Sequence, residues 1–270
     1  MVSQGAEVTE KQAEMFGKEL SDLIANRLKE QLTGERRKFR LRMSNVGKGA
    51  RQLWYESRFE PNEQIAPHTL IKFIFGDIIE SLVLFLARVA GNDVTSQQAE
   101  VDVRGVKGRI DADINGVTVD VKSASTYAFK KFKDGTLAED DPFGYVDQLA
   151  GYCKGRGTDG AFLAVDKQNG HLAYLEYPQE DLAGIDIEGR IDYLKEAIES
   201  KVEPERCYQD QEDGASGNRK LGVNCSYCAF KDRCWADANG GLGLRTFLYA
   251  SGPRFLTNVA KEPNVPEATF

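Results

Sequence analysis

The chain has 270 residues, of which 41% are hydrophobic, and it carries a formal net charge of −7 with a pI of about 5.1. This length suffices for one substantial core with appendages or for two small domains. Proteins that bind nucleic acid over a broad surface are more often basic. The acidic balance therefore counts against that class, although binding to phosphates depends on the charge of a local groove.

The N-terminal region predicts a helix and gives no sign of export. Residues 1–12 are polar and lack the apolar stretch of a signal peptide, so we expect a cytoplasmic protein without disulfide bonds. An amphipathic helix is predicted from Thr9 to Leu32, with Thr9 and Gln12 as a capping box. Its apolar stripe is expected to pack on the core or on a second subunit and consists of Phe16, Leu20, Leu23, Ile24 and Leu28.

Basic residues form two runs. The first contains Arg36, Arg37, Lys38, Arg40, Arg42, Lys48 and Arg51, and the second contains Lys130, Lys131 and Lys133. Runs of this kind are in general solvated faces. For these two runs, guidance of phosphate groups is an interpretation of equal weight.

An apolar segment from Thr69 to Ala90 predicts a largely buried helix. Its charged residues make it a poor membrane span despite its length, and they include Lys72, Asp77, Glu80 and Arg88. An ionised Glu80 in the middle of this helix is costly unless something neutralises it. A metal ion would do so, and a lysine partner or a polar helix edge would explain the residue equally well.

Two acidic strands are predicted to pair across a tight turn at Asn115-Gly116. The Asn-Gly pair tolerates the positive φ angles of a hairpin turn, and the flanks 109–114 and 117–121 alternate as strands do. Residues two apart share a face, so Asp120 and Lys122 point together, as do Asp111 and Asp113. Converging carboxylates repel one another, and a hard cation such as Mg²⁺ or Mn²⁺ relieves that repulsion best.

A further helix is predicted downstream. Asp141-Pro142 is typical of a helix start and leads into residues 143–154. Gln148 and Tyr152 are four apart and share one helical face, from which they could contact a nucleotide or brace the acidic strand. Surface and packing roles are more common for such a pair. Strands near 160–166 and 171–177 and a helix near 186–200 follow.

Taken in order, these motifs resemble those of the PD-(D/E)XK nuclease superfamily, and within it the RecB-like exonuclease branch. The matching stretches are Gly76-Asp77-Ile78-Ile79-Glu80, Gly108-Arg109-Ile110-Asp111, Asp120-Val121-Lys122 and Gln148-Leu149-Ala150-Gly151-Tyr152. Many members of that branch carry His where this chain has Glu80, a difference that we interpret as a change of ligand. The resemblance covers about residues 40–235 and implies an α/β, restriction-endonuclease-like core with a mixed central β-sheet flanked by helices.

The resemblance also implies a function, a Mg²⁺- or Mn²⁺-dependent DNA exonuclease. It implies that the metal is held by Glu80, Asp111, Asp120 and the Val121 carbonyl, with Asp113 in reserve, and that Lys122 assists the chemistry. The residues expected to contact DNA are Gln148, Tyr152, Lys130, Lys131 and Arg51.

Four of the five cysteines lie between positions 207 and 234 and end in Cys225-x2-Cys228-x5-Cys234. Thiolates this close in sequence select zinc or iron–sulfur clusters. The run resembles the C-terminal cysteine clasp of iron–sulfur nucleases in the same branch, including CRISPR-associated and AddB-type enzymes. Their fourth ligand lies N-terminal to the core, where this chain has Gly49, so Cys207 is the expected substitute. A [4Fe–4S] cluster is favoured and Zn²⁺ is the alternative, while Cys153 is expected to be a small buried hydrophobe.

These interpretations divide the chain into an N-terminal helical segment (1–40), a nuclease core (41–202), a cysteine metal-cluster region (203–240) and a tail (241–270) of unread function. The segment 248–257 is similar to exonucleases of tailed phages, which implies a viral enzyme that degrades or recombines DNA in the host cytoplasm. A single-strand-binding or recombination protein is a further expected partner, no membrane is involved, and an oligomer is left open. The alternatives are a catalytically idle DNA-binding or recruitment module and a site-specific endonuclease of the same fold.

Overall fold

A computed structural model describes residues 7–32, 38–60 and 67–268 of the chain. Arg36 and Arg37 of the first basic run lie outside the described residues. The α-helices are Glu10–Leu32 (α1), Ala50–Arg58 (α2), Pro67–Val89 (α3), Thr126–Lys133 (α4), Tyr145–Arg156 (α5), Gln179–Leu182 (α6), Ile187–Glu199 (α7), Val223–Ser226 (α8), Lys231–Cys234 (α9) and Ala238–Gly241 (α10). The β-strands are Val94–Thr95 (β1), Glu100–Val103 (β2), Val106–Arg109 (β3), Ala112–Ile114 (β4), Val117–Ala124 (β5), Gly160–Asp166 (β6), Leu172–Tyr177 (β7), Gln211–Glu212 (β8), Arg219–Lys220 (β9), Arg245–Tyr249 (β10), Gly252–Asn258 (β11) and Glu267–Ala268 (β12).

The chain divides into two compact units. The first comprises Met1–Gly47 and Ile65–Tyr193, and the second comprises Lys48–Gln64 and Leu194–Phe270. The boundaries expected from sequence at residues 41, 203 and 241 stay a prediction.

The first unit is built on a five-stranded mixed sheet in the order β1-β4-β5-β6-β7. Strand β5 runs parallel to β6, and the other neighbouring pairs are antiparallel. Helix α3 covers one face, where Val83 and Leu84 pack with Val119 and Leu163. Helices α4 and α5 cover the other face around Phe162. The expected α/β architecture, a mixed central sheet flanked by helices, is confirmed.

The turn between β4 and β5 forms as predicted. Asn115 and Gly116 have φ angles of 51° and 85°, the left-handed values that an Asn-Gly hairpin turn uses. The expected continuous strand from Arg109 to Ile114 is wrong, however. Arg109 ends β3, which pairs with β2 in a separate two-stranded sheet, and Asp111 lies between β3 and β4.

Helix α1 begins with the predicted capping box. The Thr9 backbone N–H donates to the Gln12 side-chain oxygen at 2.9 Å, and the Gln12 N–H donates to the Thr9 hydroxyl at 3.3 Å. The helix packs on α3 through a stacked pair of rings, Phe16 and Phe85, with centroids 4.3 Å apart.

Helix α3 is less buried than its composition suggests. The residues Ile71, Phe73 and Phe75 are 52%, 55% and 56% exposed, so the expectation of a largely buried helix is wrong. In the C-terminal half of α3, the buried side chains are Val83, Leu84 and Ala87. Among the described residues, no helix combines the length and apolar character needed to cross a membrane.

The second unit contains an antiparallel sheet in the order β12-β10-β11-β9-β8. Strands β10 and β11 form a hairpin in which Phe247 and Leu256 are buried. This hairpin lies in the tail from residue 241 onward, for which the sequence predicted no strands. Helix α5 also starts two residues later than expected, at Tyr145, because Gly144 adopts a left-handed φ of 69°.

Candidate active site

Strand β5 carries the two central residues of the site. Val119 and Val121 face α3, so the alternation of the strand places Asp120 and Lys122 on the opposite face, toward α5. Asp120 is 2% exposed and its carboxylate forms an ion pair with the Lys122 ammonium. Beyond this ion pair, Asp120 Oδ2 is a buried oxygen without a hydrogen-bond donor.

Asp111 joins this pair from the segment between β3 and β4. Its Oδ2 accepts the Val121 backbone N–H at 2.7 Å, which fixes the carboxylate beside the strand. Burial raises the pKa of Asp111 well above its usual range, and the negative charges of Asp120 and Glu80 raise it further. Lys122 and the N–H bond oppose the shift without cancelling it.

Glu80 lies on α3 and is half-buried. It belongs to the same charge cluster, because the charges of Asp120 and Lys122 both shift its pKa. Its Oε1 accepts a hydrogen bond from Gln98 Nε2 at 3.0 Å. Burial, followed by repulsion from Asp77 and Asp120, raises the pKa of Glu80 to about 7. Lys122 acts in the opposite direction. Three carboxyl groups therefore share a site in which one ammonium group is too little compensation.

Lys122 stays protonated in this site. Burial lowers its pKa, but the carboxylates of Asp120 and Asp111 outweigh burial and the net pKa is raised. The ammonium group also lies 4.7 Å from the ring centre of Tyr145 on α5, a distance at which a cation and an aromatic face attract.

Helix α5 adds a second polar layer behind the acidic strand. Gln148 Nε2 donates to Asp120 Oδ1 at 3.2 Å and to the Tyr152 hydroxyl at 2.9 Å. The buried Tyr152 ring lies close to β3, where a Cβ at position 108 would sit 2.7 Å from it. Glycine at 108 is therefore required by this close approach, which accounts for the Gly in the Gly-x-x-Asp stretch.

The donor set fits a hard divalent cation. Carboxylate oxygens are the ligands that Mg²⁺ and Mn²⁺ prefer, and a cation would satisfy the buried Asp120 Oδ2 while relieving the repulsion that raises the pKa values of Glu80 and Asp111. As the side chains stand, no group of three or more His, Cys, Asp or Glu in the described part of the chain has the spacing to hold a metal ion. The Lys122 ammonium and the Val121 N–H bind the carboxylates instead.

Other residues that the sequence indicated lie in different contacts. Asp113, expected as a reserve ligand, accepts the Thr118 hydroxyl and forms an ion pair with Arg156, so its role as a ligand stays a prediction. Lys131 forms an ion pair with Asp140, and Lys130 is exposed. Arg51 belongs to the second unit, where it forms an ion pair with Glu203.

Two residues that contact the site, Tyr145 and Gln98, were not predicted from the sequence. Tyr145 is three residues before Gln148, so extending the periodicity of α5 by one turn would have placed it on the same face. Gln98 carries no comparable signal, because it reaches Glu80 from a turn with a left-handed φ of 56°.

The cysteines of the second unit lie near one another. Burial raises the pKa values of Cys225 and Cys228 to about 11, and the neighbouring thiols, Cys207 and Cys234 among them, add to both shifts. A Cβ at position 49 would lie only 2.2 Å from Cys207 Sγ. The Cys207 thiol therefore occupies the space that a side chain at position 49 would enter. Cys153 is buried in the first unit, as predicted.

Comparison with known proteins gives structural likeness only. No family model matches the chain, and no curated protein matches it. Among solved structures, the chain is similar to SSO0001, with 18% identity over 78% of this chain and 93% of that one and a TM-score of 0.45. It is also similar to a phage-related exonuclease from Haemophilus somnus 129PT, with 13% identity over 60% and 94% of the two chains and a TM-score of 0.44. A third is the alkaline exonuclease LHK-Exo from Laribacter hongkongensis in complex with dAMP, with 15% identity over 59% and 93% and a TM-score of 0.38.

Proposed function

We propose that this chain is a divalent-metal-dependent deoxyribonuclease that hydrolyses phosphodiester bonds from DNA ends. The observation that carries the proposal is the meeting of Asp120 and Lys122, on one face of the central strand, with the carboxylates of Asp111 and Glu80. A buried cluster with this excess of negative charge is what a cation-dependent phosphoryl site requires.

The chain's own groups divide the work. Glu80, Asp111, Asp120 and the Val121 carbonyl would hold Mg²⁺ or Mn²⁺, which when bound polarises the scissile phosphate and acidifies a water molecule. Lys122 supplies a fixed positive charge beside the position where negative charge develops on the phosphate. Gln148 holds Asp120 in its orientation, and Tyr152 in turn accepts from Gln148.

The substitution Lys122→Ala tests the proposal with Lys167→Ala as its matched control, because Lys167 is an exposed lysine in the turn after β6. We expect Lys122→Ala to lower hydrolysis of linear DNA in Mg²⁺ or Mn²⁺ by about 100-fold or more, the size of effect seen when a group that stabilises transition-state charge is removed. Turnover near the wild-type level in the purified variant would exclude the proposed site.

The form of the substrate separates the proposed activity from its alternatives. End-labelled linear DNA should lose its label progressively, whereas closed circular DNA should persist. Cutting of circles would indicate an endonuclease, and binding without any cleavage would indicate an idle recruitment module.

The biological role and the cysteine group extend this proposal. The likeness of the tail to exonucleases of tailed phages supports a role in degrading or recombining DNA, with a single-strand-binding or recombination protein as partner. We assign the cysteines Cys207, Cys225, Cys228 and Cys234 to a [4Fe–4S] cluster, with Zn²⁺ as the alternative, because four thiols in one region suit either. The space that Cys207 takes at Gly49 supports its place among them.

A further inference from the structure

The second unit contains a cavity of about 310 Å³ that none of the proposed catalytic residues lines, although Cys234 of the proposed cysteine cluster does. Its lining includes three aromatic side chains from α2 and the residue that follows it, Trp54, Tyr55 and Phe59. Arginines complete much of the wall. This volume is at the lower end of the range found for sites that bind small molecules.

Charge is distributed unevenly around the cavity. Arg51 forms an ion pair with Glu203, and Arg206 forms one with Asp237. Arg233 also lines the cavity, and within the described residues it forms no ion pair. The lining therefore carries three guanidinium groups against two carboxylates, in a chain whose total charge is −7.

A buried donor at the same place has no acceptor. Arg51 Nε–H is shielded from solvent and makes no hydrogen bond, although the other guanidinium nitrogens bind the Pro204 carbonyl and Glu203. Leaving such a donor unsatisfied costs about 1–3 kcal/mol or more when it is charged. An anionic oxygen in the cavity is the kind of group that removes this cost.

Of the aromatic side chains in the lining, Phe59 is half-buried, whereas Trp54 and Tyr55 are buried. Arg233 lies 4.0 Å from the ring centre of Phe59, and Arg58 lies 4.3 Å from that of Trp54. Aromatic rings interleaved with arginines are the combination by which proteins hold single-stranded nucleic acid, because rings stack on bases and guanidiniums attract the phosphates between them. An acidic protein needs such a local basic site, since its overall charge repels a polyanion.

We propose that this cavity binds one nucleotide of a single DNA strand, with a phosphate beside Arg51 and Arg233 and the base against Phe59. The identity of the ligand rests on the proposed nuclease function. The site is nevertheless a binding site with its own residues, and none of these three belongs to the catalytic cluster.

The test measures binding without hydrolysis. A short fluorescein-labelled oligothymidylate is titrated with the full chain in EDTA, and the variant Arg233→Gln is compared with Lys201→Gln, which removes the same charge from an exposed position outside the cavity lining. We expect Arg233→Gln to weaken binding about fivefold or more and to reduce the slope of log K against log salt by about 0.7, the change for one phosphate contact on a single strand. Lys201→Gln should leave both values near those of the wild type.

A second arm tests the base. Phe59→Leu should weaken binding of oligothymidylate more than binding of an abasic strand of equal length, because stacking needs a base. The chain has two tryptophans, Trp54 and Trp235. Oligothymidylate should quench the fluorescence of the wild type, and Trp54→Phe should remove most of that quenching.

Equal affinities of the Arg233→Gln and Lys201→Gln variants, in proteins with wild-type thermal midpoints, would overturn the proposal. So would equal binding of abasic and thymidine strands. Neither outcome depends on hydrolysis, so failure of this inference is distinguishable from failure of the nuclease proposal, which is measured by cleavage in divalent metal.

Discussion

At the scale of single residues, Lys122 sets the charge balance of the candidate site. It provides the positive charge nearest to Asp120, and it also lowers the pKa values of Asp111 and Glu80. Burial lowers the pKa of the Lys122 ammonium, and the neighbouring carboxylates of Asp120 and Asp111 raise it above its usual value. The charges of the cluster are therefore linked to one another.

The raised pKa of Glu80 predicts how pH affects the stability of the protein without divalent metal. Its pKa is raised from 4.5 to about 7 on folding. A raised pKa contributes stability that is fully present below the unfolded value and is lost as pH rises through the folded value. The window is thus pH 4.5 to about 7. We expect the thermal midpoint of Glu80→Gln, relative to wild type, to be higher at pH 8 than at pH 5.

The exposed Glu176 on β7 offers the matched control for this experiment. The difference in midpoint between Glu176→Gln and wild type should not change with pH in the same window. A Glu80→Gln difference that is constant from pH 5 to pH 8 would contradict the charge cluster.

The polar layer on α5 predicts graded effects. Gln148→Ala removes a hydrogen bond to a buried carboxylate, so we expect kcat/KM to fall about tenfold, the kinetic equivalent of about 1.4 kcal/mol. Tyr152→Phe should have a smaller effect, because the hydroxyl touches Asp120 only through Gln148. Calorimetric titration with Mn²⁺ should show a smaller loss of affinity in both than in Asp120→Asn. An equal loss would mean that Gln148 acts mainly on the metal.

At the scale of structural elements, the cysteine segment around α8 and α9 makes a prediction about metal content. Protein purified without oxygen should be brown and contain about four irons per chain, whereas a zinc site would be colourless. Cys225→Ala and Cys207→Ala should both lose the metal, and Cys153→Ala, at a buried cysteine of the first unit, should retain it. Full metal content in Cys207→Ala would exclude it as a ligand.

The substitution Gly49→Ala sharpens that experiment because it removes no thiol. Its methyl group would sit 2.2 Å from Cys207 Sγ, so the cysteine must move aside. We expect a lower metal content than in the wild type. Unchanged content, with an unchanged thermal midpoint, would show that the position of Cys207 does not matter to the metal.

The sequence predicted elements that depend on local signals better than elements that depend on contacts between distant residues. Strand β5 and its turn were predictable because alternation and an Asn-Gly pair are local signals. The β10–β11 hairpin was not predicted, because the burial of its Phe247 depends on neighbours distant in the sequence. The exposure of Phe73 and Phe75 was not predicted either, because apolar composition does not show whether another element packs against that part of the helix.

The site shows the same division. Glu80, Asp111, Asp120 and Lys122 were predictable because each lies in a short motif, and the structure brings them into one charge cluster. Gln98 contacts Glu80 from a turn that is distant from that residue in the sequence. No motif or periodicity in the sequence predicts such a contact.

At the scale of the whole molecule, the position of β5 in its sheet has a consequence for motion. It is the third of five strands, with β4 and β6 hydrogen-bonded on either side. Amide protons on such a strand exchange with solvent only when the unit opens globally. We expect the amides of Val119 and Val121 to be among the slowest to exchange in deuterated buffer, and those of the exposed 167–170 turn among the fastest. Asp120 and Lys122 therefore lie on the strand that is the last to unfold. The distance between their carboxylate and ammonium groups is fixed by the fold before any ligand binds.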